Sequence, residues 1–110
     1  MTALNLEQAR FNMVEQQVRT WDVLDPRVLD LLERLPRDAF VDERYRQLAY
    51  ADLNLPLEHG EQMMSPKLEG RLLQALGATG SEQVLEIGTG SGYVTACLAS
   101  MGAHVTSVDI

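Results

Sequence analysis

Apolar positions recur at helical spacing through the first third of this chain, fade in the middle, and return near the end at strand spacing. Leu6, Ala9, Met13, Val14 and Val18 share one face, with Glu7, Arg10, Glu15 and Arg19 largely elsewhere, which predicts a helix from Leu6 to about Thr20. Asn5 can cap it, with Gln8 three residues on as in a capping box. Trp21 follows as an expected packing anchor. Val28, Leu31, Leu32 and Leu35 mark a second helix, opened by the cap Asp25 and the first-position Pro26 and ended by Pro36. Short helical turns are predicted around Asp38–Phe40 and Glu43–Leu48.

Regular patterning fades from Ala49 to Met64, where Pro56 and Gly60 predict an ordered loop with short extended pieces. A third helix is predicted from "SPKLEGRLLQALG": Ser65 caps, Pro66 starts, and Gly77 stops it. Leu68, Leu72, Leu73 and Leu76 are its expected buried stripe. The period then changes. "QVLEI" predicts a strand at Gln83–Ile87, glycines follow, a helix runs from about Gly92 to Met101, and "HVTSVDI" is a second strand. Strand, glycine loop, helix and strand make one parallel, right-handed βαβ unit.

Composition narrows the partners. Nine Lys and Arg against sixteen Asp and Glu leave a formal charge of −7, which argues against a general nucleic-acid partner. Apolar residues at 45% suit a globular domain rather than a disordered tail. No run is long enough to span a bilayer, the N-terminus has no secretory pattern, and the single Cys97 excludes an internal disulfide, so a soluble cytoplasmic protein is expected. His59 and His104 have no partners at metal-ligand spacing, so no metal is expected. His59 reads as a solvent-facing loop residue, Cys97, Met63 and Met64 as packing, and the acidic residues as a solvated face. Tyr50 and Asp52 either shape a site or anchor their loop.

The chemistry concentrates in Gly88-Thr89-Gly90-Ser91-Gly92, framed by Glu86 and Tyr93. A dinucleotide fingerprint would place its third glycine where Tyr93 stands, and no Gly-Lys-Ser/Thr of a P-loop is present. What remains is E-x-G-x-G-x-G, an arrangement suited to S-adenosylmethionine. That cofactor has no phosphates, and its amino-acid portion can lie against bare backbone at Gly88 and Gly90. Asp109 lies 19 positions beyond Gly90, at the end of the next strand, where a carboxylate can hold ribose hydroxyls. Glu86 can orient the cofactor's ammonium group. A tight turn without a ligand is the competing reading.

Five ordered segments carry a more specific likeness. "VLEIGTGSGY" (Val84–Tyr93) resembles the first motif of the protein-L-isoaspartate O-methyltransferases. "RDAFV" (Arg37–Val41), "AYAD" (Ala49–Asp52), "LPL" (Leu55–Leu57) and "QMMSP" (Gln62–Pro66) resemble that family's N-terminal region in the same order, the last resembling its Q-T-I-S-x-P segment. The resemblance implies a Rossmann-like, doubly wound α/β methyltransferase fold, incomplete here. An N-terminal helical and loop region (1–64) would be followed by the start of the cofactor domain (65–110). It implies methyl transfer from S-adenosylmethionine to the side carboxylate of isoaspartyl residues in damaged proteins. Glu86, Gly88, Gly90, Gly92 and Asp109 match the family's cofactor motif, and Ser65 matches the active-site serine. Ser65 also reads as an N-cap, and helix N-termini attract carboxylates, so both roles can coexist.

The family's Thr-Ile is Met63-Met64 here, which removes a hydroxyl from the acceptor side. A divergent methyltransferase with another acceptor is therefore an alternative, as is a non-catalytic oligomerising or regulatory module that keeps the cofactor loop. Two parallel strands leave open edges. The chain is accordingly expected to be the N-terminal part of a longer enzyme, inactive alone and able to associate through its sheet edge.

Overall fold

The computed structural model describes residues 5–109, so Ile110 of the expected second strand lies outside the described residues. Helix α1 spans Leu6–Met13, and the Asn5 side chain accepts from the Gln8 amide, as the capping pattern predicts. The helix then widens into a π-helical turn, Val14–Val18, and tightens into a 3₁₀ turn, Arg19–Trp21, before Asp22 reverses the chain with φ of 62°. Met13, Val14 and Val18 are buried on the face expected of them, while Leu6 and Ala9 pack at its margin. Trp21 departs from the expectation. It is 41% exposed, and its ring instead receives the Lys67 ammonium 4.5 Å from its centroid.

Helix α2 spans Pro26–Arg34 and is capped by Asp25, which accepts from the Arg27 amide. Its buried face is Val28, Leu29, Leu31 and Leu32. Two 3₁₀ turns follow, Arg37–Phe40 and Glu43–Leu48, where short helical turns were expected. In the central loop, β1 (Leu55–Pro56) pairs antiparallel with β2 (Gln62–Met63), closed by a turn in which His59 takes φ of 60°.

Helix α3 spans Pro66–Leu76 and ends on left-handed Gly77. Its inward face is not the leucine stripe. Pro66, Glu69, Gly70 and Leu73 are buried, whereas Leu68, Leu72 and Leu76 are exposed. Of the expected stripe only Leu73 turns inward. Gly70 explains the choice, because it lets the π-helical turn come close: a Cβ there would lie 2.9 Å from Cγ1 of Val18. The Gln74 side chain then fixes the neighbouring loop, accepting from the amides of Leu24 and Asp25 and donating to the Asp22 carbonyl.

Strand β3 (Gln83–Ile87) runs parallel to β4 (His104–Val108), with Glu86 opposite Ser107, and α4 (Tyr93–Ser100) is the crossover. One apolar core joins the helical region to this unit, running from Met13, Val18 and Leu32 through Leu55 and Met63 to Tyr93, Cys97 and Leu98. Cys97 is a buried core residue, as expected, and burial pushes its thiol up to about 12.

Candidate functional site

The strand-to-helix turn is built on left-handed backbone. Gly88, Gly90 and Gly92 have φ of +91°, +59° and +86°. A side chain would be strained at each. A Cβ on Gly88 or Gly92 would enter open space, and one on Gly90 would meet Leu57 at 3.5 Å. The turn is therefore a bare-backbone cradle. It is pinned to β4, because the Gly88 amide donates to the Val108 carbonyl at 2.7 Å.

A cleft of about 170 Å³ opens over this turn. One wall is Glu86 with Gly88–Ser91, and the other is Met63 of β2, Met64 just after it, and Glu69 of α3. A second cleft, of about 270 Å³, adjoins at Leu57, Glu61 and Gly90 and carries Asp109, Glu58 and His59. Glu86, Gly88, Gly90 and Asp109 are thus brought round one loop. Gly92 caps α4 behind it and lines neither cleft. Ser65 is buried at the head of α3 and makes no capping hydrogen bond; it too lines neither cleft. The residues of its segment that reach the opening are Gln62, Met63 and Met64.

Several residues at the site were not singled out from sequence. Glu86 Oε1 accepts from the Thr95 hydroxyl and, at 2.7 Å, from the Ser107 hydroxyl; Ser107 in turn lies 2.5 Å from the Thr89 hydroxyl. Strand parity held the signal for Ser107, since Glu86 and Ser107 are polar residues on the same inward parity as Val84 and Val105. Behind the opposite wall, Arg37 is fully buried. It donates to the Glu69 carboxylate at 3.0 Å, to the Met64 carbonyl at 2.8 Å and to the Ala49 carbonyl. Its guanidinium also lies 5.5 Å from the centroid of the Tyr93 ring, at the first position of α4. One side chain therefore ties the Met64 wall to the helix that follows the glycine turn. Glu69 corrects the view of the acidic residues as a solvated face: burial pushes its carboxyl up to about 7, against the opposing pull of Arg37. Tyr50 anchors its loop, donating to Asp38 at 2.6 Å, and neither it nor Asp52 reaches the cleft.

A parallel βαβ unit with a glycine cradle at the strand's carboxyl end defines the opening of a doubly wound, Rossmann-like domain. Comparison with known proteins makes this specific. The family model for protein-L-isoaspartate(D-aspartate) O-methyltransferase matches residues 8–110, and the chain belongs to that family. It is 42% identical over 107 residues to protein-L-isoaspartate O-methyltransferase 1 of Rhodopseudomonas palustris, covering 97% of this chain and 44% of the relative. It is 43% identical over 105 residues to the protein-L-isoaspartate O-methyltransferase of Aeropyrum pernix, covering 93% of this chain and 40% of that one. The chain thus spans less than half the length of these curated relatives. Among solved structures, it superposes with a TM-score of 0.70 and 19% identity on a Plasmodium falciparum protein assigned as a protein-L-isoaspartate O-methyltransferase, in complex with S-adenosyl-L-homocysteine. That match covers 97% of this chain and 50% of the other. A second protein-L-isoaspartate O-methyltransferase structure matches with a TM-score of 0.66 at 22% identity, over 94% of this chain and 32% of that chain. The fold is accordingly the Rossmann-like methyltransferase fold, represented here by its N-terminal helical region and first βαβ unit.

Proposed function

We propose that this chain supplies the cofactor-binding part of a protein carboxyl methyltransferase that acts on the side carboxylate of isoaspartyl residues. The observation that carries the reading is the bare-backbone turn, three left-handed glycines opening on a cleft bordered by a carboxylate. When bound, S-adenosylmethionine supplies an electrophilic methyl group on a sulfonium centre. Gly88 and Gly90 admit its amino-acid portion against the backbone, with Gly92 holding the turn at the head of α4. Glu86 would receive its ammonium group, and Asp109 in the adjoining cleft would accept from the ribose hydroxyls.

The acceptor is an ionised carboxylate and needs no base to activate it. The protein's contribution would be positioning: holding the acceptor carboxylate against the cofactor's methyl group and keeping water away. Ser65 opens α3 and, being buried and lining neither cleft, would act on the acceptor carboxylate only through the N-terminal end of that helix. Methyl esterification, followed by attack of the neighbouring backbone amide nitrogen on the ester and loss of methanol to give a succinimide, would make the activity a repair reaction, in the cytoplasm, on damaged proteins. One observation favours a second reading: Met63, which stands where the family carries its threonine, lines the cleft with a side chain that has no hydroxyl. An apolar wall there suits a different acceptor on the same cofactor chemistry.

The test is calorimetric titration with S-adenosylhomocysteine, with Asp109→Ala as control, followed by methylation of isoaspartyl peptides by the protein at its full natural length. Binding weakened at least about tenfold in the control supports the cofactor site, since a hydrogen bond to a charged group is being removed. Binding without methylation of isoaspartyl peptides favours the second reading. No binding by a folded, full-length protein overturns both.

A further inference from the structure

We propose that Thr95 and Ser107, with Thr89 behind Ser107, are positioning residues that hold the Glu86 carboxylate for a cationic ligand group, the ammonium end of the cofactor. The inference rests on the functional reading above and deepens it, because it concerns what aims the carboxylate rather than the carboxylate itself.

The three hydroxyls come from three different elements: the glycine turn, the first turns of α4, and β4. Proton counting sets their direction. An ionised carboxylate only accepts, so Thr95 and Ser107 both donate to Glu86 Oε1. Ser107 has one proton and has used it, so the 2.5 Å contact to Thr89 runs from the Thr89 hydroxyl to Ser107. The chain therefore ends on a single oxygen. Oε1 takes both hydroxyls and Oε2 takes neither, which leaves Oε2 for a donor in the cleft that Glu86 lines.

Glu86 is half-buried, so its charge needs donors to offset lost hydration. Water would do this in many orientations. Two fixed hydroxyls do it in one, so the carboxylate is not reorganised when the ligand arrives. Ser107 has a second consequence. Through Thr89 it staples the glycine turn to β4 beside the Gly88–Val108 backbone bond, so turn and carboxylate are held to one strand. Among the described residues the Thr95 hydroxyl bonds only to the carboxylate. The two residues therefore separate aiming the charge from shaping the turn.

The experiment compares two ligands on the full-length protein. S-adenosylhomocysteine carries the amino-acid portion; 5′-methylthioadenosine has the same nucleoside and thioether without it. Dissociation constants are measured for the unaltered protein, Thr95→Val, Thr95→Ser, Ser107→Ala and Glu86→Gln, and for Thr95→Val on Glu86→Gln, with thermal melts alongside. Thr95→Val should weaken S-adenosylhomocysteine about tenfold, the scale of one hydrogen bond to a charged group, and leave 5′-methylthioadenosine unchanged. Thr95→Ser should restore binding, and Thr95→Val should cost nothing more once Glu86 is Gln. Ser107→Ala should weaken both ligands, because the turn loosens as well. If Thr95→Val weakens both ligands equally, or neither, the hydroxyls only solvate a buried carboxylate and the inference is wrong. Failure of the unaltered protein to bind S-adenosylhomocysteine is a distinct outcome, which sinks the functional reading and takes this inference with it.

Discussion

Glu69 sits one turn into α3, on the side of the helix that faces inward, with its carboxylate against the Arg37 guanidinium. Its carboxyl lies at about 7 in the folded protein against an ordinary value of 4.5. Between those values the folded state holds a proton that the unfolded chain has lost. Glu69 therefore contributes most to stability below about 4.5, and the contribution falls as pH rises toward 7. Glu69→Gln mimics the protonated form and removes this slope. Urea midpoints at pH 5 and pH 8 should show the variant gaining on the unaltered protein at the higher pH; an unchanged gap would mean that Arg37 keeps the carboxylate ionised throughout. Nothing in the sequence marked Glu69 among sixteen acidic residues. Its burial follows from which face of α3 turns inward and from the presence of Arg37, 32 positions earlier, to pair with it.

Helix α3 shows the same limit at the scale of an element. Its ends were legible, because Pro66 suits a first turn and Gly77 takes the left-handed conformation that stops it. Its orientation was not. Four leucines at helical spacing predicted a buried stripe, yet three of them face outward and the helix packs through its smallest residue, Gly70. A methyl group at position 70 would lie 2.9 Å from Cγ1 of Val18 and 3.4 Å from Cγ2 of Val23. Replacing glycine by alanine inside a helix gains about 1 kcal/mol of propensity, but overpacking a core costs about 1–3 kcal/mol. Val18 is fully buried and β-branched, with little room to yield. Gly70→Ala should therefore destabilise the protein by about 1 kcal/mol. The cost should shrink or reverse on a Val18→Ala background, as a double-mutant cycle by chemical denaturation would show. Equal costs in both backgrounds would mean that the contact is not what limits the helix.

At the scale of the whole molecule, the sheet is covered on one face only. Val84, Glu86, Val105 and Ser107 turn toward α4, while Leu85 and Ile87 are 64% and 70% exposed and Val108 joins them. Leu68, Leu72 and Leu76 are exposed on α3 as well, and contiguous exposed apolar side chains favour association. The open strand edges add unpaired backbone groups. The chain of 110 residues should therefore self-associate as concentration rises. Sedimentation should show Leu85→Lys with Ile87→Lys restoring a monomer at equal concentration; a monomeric unaltered chain would show that this face tolerates water.

Local physics was enough for what the sequence determined by itself. The caps at Asn5 and Asp25, the glycine stop at Gly77, the order of strand, glycine turn, helix and strand, and the likeness carried by Val84–Tyr93 all depend on neighbours within a few positions. Backbone sterics and short-range hydrogen bonds suffice to specify them. Only the tertiary structure decided which face of α3 is core, that Arg37 and Glu69 meet, and that Thr89, Thr95 and Ser107 converge on Glu86. Each of these contacts joins residues on different elements, and whether they meet depends on how tightly two backbones can approach. Hydropathy along the chain does not record that distance. Here it was set by a glycine and by the register of two parallel strands.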